Sequence, residues 1–127
     1  MTTEERAELG ATYKASCNCC QAVLKAYSDI LPYDENALSV LGAGFGSGMG
    51  CMEATCGALV GAGLVAGMRT EGKASVRFSK EILARFREKC GATICKDLKG
   101  IESGKVLCAC DDCVRNAIRA CDEVLGA

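Results

Sequence analysis

Cysteine is concentrated in four short stretches of the chain. They are Cys17-Asn18-Cys19-Cys20, Cys51-Met52-Glu53-Ala54-Thr55-Cys56, Cys90-Gly91-Ala92-Thr93-Ile94-Cys95 and Cys108-Ala109-Cys110-Asp111-Asp112-Cys113. Cys121 follows two helical turns later and completes a total of 11. Thiols repeated in close groups suit a multi-ligand thiolate site, because the backbone can return to one centre from several directions at low strain. The chain has no histidine. That excludes a Cys–His nucleophile pair, a His-ligated haem and a mixed Cys/His zinc site. Any metal must be held mainly by thiolate.

The 127 residues are enough for one ordinary domain, and half are apolar, enough for one modest core. We expect a single domain over residues 1–127. Net charge is −1, with both signs spread along the chain. This argues against nucleic acid, which calls for a basic patch, and against a polybasic membrane-surface site. The N-terminal Met1-Thr2-Thr3-Glu4-Glu5-Arg6 lacks a basic segment followed by an apolar run. The expected location is therefore the cytoplasm, where thiols stay reduced and cysteine groups read as metal-binding or redox-active rather than as a disulfide framework.

The apolar pattern is helical throughout. Thr2 and Glu5 fit a capping box, and Tyr13, Cys17, Cys20, Leu24, Tyr27 and Leu31 recur at steps of three and four. This predicts one helix running to about Leu31, stopped by Pro32. Cys19 falls off that stripe, with Val23, Ala26 and Ile30. Residues 36–68 hold a single charge, Glu53, and nine of the 15 glycines lie between Gly42 and Gly67. Glycine costs about 1 kcal/mol relative to alanine in a helix, so 42–50 reads as a tight loop after a short helix at 36–42. The uncharged stretch 54–68 is shorter than the roughly 20 residues of a membrane span and reads as a buried central helix. Its Gly57/Gly61 and Gly63/Gly67 pairs allow another backbone to approach closely, in the same chain or in a twin subunit, so a homodimer is expected. Further helices are predicted from a Ser75 cap to Gly91, over about 92–99, and from Asp111 or Asp112 through Leu125. The predicted fold is all-α, a small domain of about five helices around a cysteine-rich, glycine-rich centre.

The glycine-rich stretch is not a nucleotide motif. No Gly-Lys-[Ser/Thr] follows it, and Gly61-Ala62-Gly63-Leu64-Val65-Ala66 sits inside an apolar helical run with no preceding strand. No cysteine group matches the ferredoxin runs either. Cys17 and Cys20 lie on an apolar helix face, and Cys121 on the apolar side of the last helix, where thiols pack as small hydrophobes.

In order along the chain, Asn18-Cys19-Cys20-Gln21-Ala22-Val23-Leu24, Gly44-Phe45-Gly46-Ser47-Gly48-Met49-Gly50, Cys56-Gly57-Ala58-Leu59-Val60-Gly61, Cys95-Lys96-Asp97-Leu98 and Cys113-Val114-Arg115-Asn116-Ala117 resemble the redox-active protein family named for its C_GCAxxG_C_C pattern. The resemblance covers about residues 13–125. It implies four key cysteines, Cys19, Cys56, Cys95 and Cys113, in a small helical protein with redox activity. Seven further cysteines go beyond that pattern, and Cys17, Cys20, Cys51, Cys90, Cys108 and Cys110 each lie within five residues of a family cysteine. This favours an enlarged thiolate site. The expected metal ligands are Cys19, Cys51, Cys56, Cys90, Cys95, Cys108, Cys110 and Cys113, holding two [4Fe–4S] units or one expanded iron–sulfur cluster. The expected function is electron transfer or support of a reductive reaction, with redox proteins as partners. A metal-free thiol–disulfide protein and a thiolate module for zinc or another soft metal are the alternatives. Residues five apart on a regular helix are about 140° apart around its axis. Cys51/Cys56 and Cys90/Cys95 must therefore each straddle a helix boundary if both thiols are to converge.

Overall fold

The computed structural model describes residues 1–126 and contains seven α-helices. These are α1 (Thr3–Lys14), α2 (Cys19–Ala26), α3 (Glu35–Gly42), α4 (Gly57–Arg69), α5 (Ser75–Cys90), α6 (Cys95–Lys99) and α7 (Cys110–Leu125). No strand occurs among the described residues; extended pairing is limited to an antiparallel bridge between Thr55 and Ile94. No helix among them is long and apolar enough to cross a membrane.

The all-α expectation holds, but seven helices replace about five. The main correction is at the start. The helix expected to run to Leu31 is two helices, because Asn18 caps a new one. Its side chain accepts the Gln21 N–H at 2.8 Å, and Gln21 Oε1 accepts the Asn18 N–H at 3.0 Å. This reciprocal box satisfies two donors that a continuous helix would have used internally, and the backbone turns there. The central helix begins at Gly57, three residues later than read from the sequence. α5 has Ser75 as its first residue rather than its cap, and α7 begins at Cys110 under Ala109.

Helices α1, α2, α3, α4, α5 and α7 pack around a core of Leu24, Tyr27, Leu38, Val65, Ile82, Phe86 and Ile118. Small residues set the distances. At Gly10 a Cβ would fall 2.6 Å from Ile118 Cδ1, so glycine brings α1 onto α7. At Gly61 it would meet Val23 Cβ at 3.0 Å and the Cys20 carbonyl oxygen at 3.1 Å. The Gly57/Gly61 pair thus packs α4 onto α2 of the same chain, whereas a Cβ on Gly67 would touch nothing. Arg6 is buried at the far end of the bundle. It spans Asp29 through two nitrogens, donates to the Ala26 carbonyl at 2.6 Å and lies 4.7 Å from the Tyr27 ring centroid.

Between α3 and α4 the backbone makes a 3₁₀ turn at Ala43–Phe45 and a wide turn at Gly48–Met52. Ser47, Met49 and Met52 adopt φ of 51°, 62° and 65°, a left-handed conformation that is costly for residues with a Cβ. The close α2–α4 contact gives a direct test. Gly61→Val should overpack it and cost about 1–3 kcal/mol, several degrees of melting temperature. Gly67→Ala, which enters open space in the same helix, should be neutral or stabilising by up to about 1 kcal/mol. Thermal melts of the two variants check both signs.

Candidate thiolate site

Four segments deliver thiols to one end of the bundle, mostly at helix starts. Cys19 is the first residue of α2, Cys95 the first of α6 and Cys110 the first of α7; Cys56 is the residue before α4. Cys113 follows one turn into α7. The starts of α4 and α6 are joined by the Thr55–Ile94 bridge, in which the Cys56 N–H donates to Thr93 O at 2.8 Å and the Cys95 N–H donates to Ala54 O at 3.0 Å. Beyond α6, the N–H groups of Leu107 and Cys108 both reach Leu98 O, at 2.9 and 3.3 Å. That contact returns the chain to the site just before α7.

These elements enclose a cavity of about 150 Å³ lined by Cys19, Cys56, Cys95, Cys108, Cys110 and Cys113. All four cysteines implied by the family resemblance therefore face one space. Of the other four expected ligands, Cys108 and Cys110 line it too. Cys90 lies behind Cys108, with their Sγ atoms 3.4 Å apart. Cys90, Cys108 and Cys113 place their sulfurs within 4.8 Å of one another, a set able to hold a metal ion. Cys51 is not among the lining residues; it is exposed on the wide turn, with Sγ 3.7 Å from Gly48 O. Both x4 pairs straddle a helix boundary. At the second, Gly91 takes φ 93° between α5 and α6. Cys20 and Cys121 are fully buried in the core, and Cys17 donates to Tyr13 O at 3.1 Å.

The thiols divide into proton donors and thiolate acceptors. Cys110 is pulled down to about 6 by a hydrogen bond from Cys19, against the opposing effect of burial and with help from Lys99 and Lys14. Cys90 is pulled down to about 6 by a hydrogen bond from Cys113, again against burial, with Asn116 and Cys108 adding to it. Cys56 is lowered by Cys113 and by the backbone N–H groups of Ala58 and Leu59 at the start of α4, as expected of a thiol at a helix N-terminus. Their partners pay in the opposite direction. Cys113 is raised by its neighbours Cys56 and Cys90, Cys19 by its neighbour Cys110, and Cys108 is pushed up to about 12 by burial and by Cys90. Burial, helped by the charge of Cys56, carries Cys20 up to about 12, and burial raises Cys95 with Cys56 and Cys110 adding to it against Lys99.

Sequence reasoning missed the polar frame. Lys14, Asn18, Ser47 and Lys99 also line the cavity, and Asn116 Nδ2 donates to Cys90 Sγ at 3.4 Å. The Asn18 capping box was the one readable signal among these. The lysines arrive from α1 and α6, helices remote in sequence, so nothing local announces them.

A family model described as "Putative redox-active protein (C_GCAxxG_C_C)" matches residues 17–124. No curated protein and no solved structure matches the chain. The thiol pairing has a measurable consequence in reduced, metal-free protein. Cys110 is part-exposed and should become thiolate as pH rises through about 6, while Cys17, raised by burial, should not. Iodoacetamide at pH 7 followed by peptide mass spectrometry should find Cys110 labelled several-fold faster than Cys17, with the Cys110 rate falling below pH 6.

Proposed function

The chain belongs to the C_GCAxxG_C_C redox-active family, and on that premise we propose that it is a cytoplasmic iron–sulfur protein whose cluster occupies the thiol cavity. The observation that carries this reading is the convergence of six cysteines, from four separate segments, on one small cavity. Cys19, Cys56, Cys95 and Cys113 are the proposed ligands. Cys108 and Cys110 are in place to extend the set for an expanded cluster. Cys90 and Cys51 lie outside the lining, and Cys51 joins only if the wide turn folds inward.

The residues present fit such a group. The donors are thiols, the soft ligands that iron–sulfur clusters require, and no carboxylate is among the lining residues. The N-terminal ends of α2, α4 and α7 favour the negative charge that four thiolates bring. Zinc is the weaker candidate: it closes with four ligands and has no redox chemistry, whereas more than four sulfurs meet here in a redox-active family. When bound, an iron–sulfur cluster supplies one-electron transfer at a potential set by hydrogen bonds to its sulfurs and by exposure. Lys14 and Lys99 place two ammonium groups against the thiolates. Leu98 supplies an apolar wall, and the buried positions of Cys56, Cys95 and Cys113 keep water from the sulfurs.

The proposed partners are redox proteins. A homodimer through the Gly63/Gly67 face of α4 belongs to the same proposal and is read by light scattering.

Anaerobic purification tests the central claim. The expected product has broad visible absorbance that bleaches with dithionite, together with iron and acid-labile sulfide. Serine at Cys19, Cys56, Cys95 or Cys113 should reduce iron per chain by at least about half, while serine at the core residue Cys121 should retain it. A colourless protein that binds zinc, or one with titratable thiols and no metal, would sink the iron–sulfur reading.

A further inference from the structure

Cys90 and Cys108 stand apart from the four family positions, yet they form the shortest sulfur–sulfur hydrogen bond in the described residues, at 3.4 Å. Both are buried, and the Cys108 thiol donates to Cys90. Asn116 Nδ2 faces both sulfurs, at 3.4 Å from Cys90 and 4.0 Å from Cys108. The two residues differ in access, since Cys108 lines the cavity and Cys90 does not. They also differ in backbone freedom. Cys90 ends α5, followed by the left-handed Gly91, and Cys108 lies in the irregular segment between α6 and α7. A disulfide needs its sulfurs about 2.05 Å apart. The approach from 3.4 Å can be taken up by the segment carrying Cys108.

We infer that Cys90 and Cys108 form a reversible dithiol–disulfide couple behind the cavity, able to give two electrons to a disulfide-bearing molecule that enters it. This function belongs to the chain without a cluster, since the incoming molecule needs the cavity and Cys108, and it uses cysteines outside the family pattern. The arrangement assigns a role to each group. Cys108, on the cavity side, passes its proton to Cys90 as its sulfur attacks one sulfur of the incoming disulfide RSSR. The RSSR bond breaks, a Cys108–S–SR mixed disulfide forms, and RS⁻ departs. Cys90 then gives up the proton to RS⁻ and attacks Cys108 Sγ. The Cys90–Cys108 bond forms, the Cys108–SR bond breaks, and the second RS⁻ takes a proton from solvent. In sum, the Cys108 thiol, the Cys90 thiolate, RSSR and one proton from solvent become one protein disulfide and two RSH; the cysteines lose two electrons and RSSR gains two. Asn116 is the positioning residue, holding both sulfurs through one amide.

The test uses the full chain, purified anaerobically and equilibrated with mixtures of oxidised and reduced dithiothreitol. Free thiols are then trapped by alkylation, and intact mass and peptide fragmentation are read. The expected result is a species 2 Da lighter in which Cys90 is linked to Cys108. Cys90→Ser and Cys108→Ser should each abolish it, and Cys17→Ser should leave it in full. Asn116→Ala should shift the dithiothreitol ratio at half-oxidation several-fold without removing the link. The inference is overturned if no Cys90–Cys108 link forms, if Cys113 takes the place of either partner in the wild-type chain, or if both serine variants lose bound metal and no disulfide is ever found. The last outcome would make the pair metal ligands. Iron and sulfide analysis of the same preparation reports separately on the cluster, so either reading can fail while the other stands.

Discussion

Two hydrogen bonds between loop segments hold the thiol end of this molecule together. The Cys56 N–H reaches Thr93 O and the Cys95 N–H reaches Ala54 O, forming the single antiparallel bridge of Thr55 with Ile94. A hydrogen bond of this kind contributes only about 1 kcal/mol net, but leaving a buried donor without a partner costs about 1–3 kcal/mol, so the pairing is strongly enforced. It sets α4 and α6 starting side by side. From there, α6 offers Leu98 O to Leu107 and Cys108, and that contact sets where α7 begins. The positions of Cys56, Cys95, Cys108, Cys110 and Cys113 all follow from this one register. Only Cys19 reaches the cavity independently, through the Asn18 cap of α2.

Crowding thiols together has an electrostatic cost that the site meets by sharing protons. In a partly buried space, adjacent thiolates repel and are poorly solvated. The chain avoids that by pairing each favoured thiolate with a neighbour that keeps its proton. Cys108 donates to Cys90, while Cys19 stays protonated beside Cys110 and Cys113 beside Cys56 and Cys90. A cation bound by these sulfurs would displace those protons, which is how metal affinity in thiolate sites becomes linked to pH. The same arrangement suits disulfide chemistry, where a protonated thiol beside a thiolate is the reacting pair.

Much of the fold was legible in the sequence because its helices are bounded by strong local signals. The Thr2–Glu5 box and the Gly91 and Gly100 stops act within a few residues, whereas Pro32 does not end α2, which stops earlier, at Ala26. The break between α1 and α2 was hidden by a coincidence. Tyr13, Cys17, Cys20 and Leu24 keep helical spacing straight across it, and the Asn18–Gln21 box that causes the break was outweighed by that stripe. The left-handed backbone at Ser47, Met49 and Met52 could not be read, since two of the three residues are methionines that ordinarily avoid it. For the site, helix-boundary logic correctly separated Cys51 from Cys56 and Cys90 from Cys95. It could not tell that Cys95 and Cys56 would face the cavity while Cys51 stays on the surface, because that depends on the pairing of two distant loops. Lys14 and Lys99 were invisible for the same reason.

The walls of the cavity come from nearly the whole described chain, from Lys14 at the end of α1 to Cys113 in α7. Contacts this remote in sequence form late, since long loops must close before the contacts repay the entropy. During synthesis, α2 and α4 would dock with Cys19 and Cys56 already exposed, while the rest of the ring is still to be made. For that interval the protein is a set of reactive thiols with no completed site, open to mispairing among its 11 cysteines. Bundle and socket are completed by the same helix, because α7 both packs on α1 and carries Cys110 and Cys113.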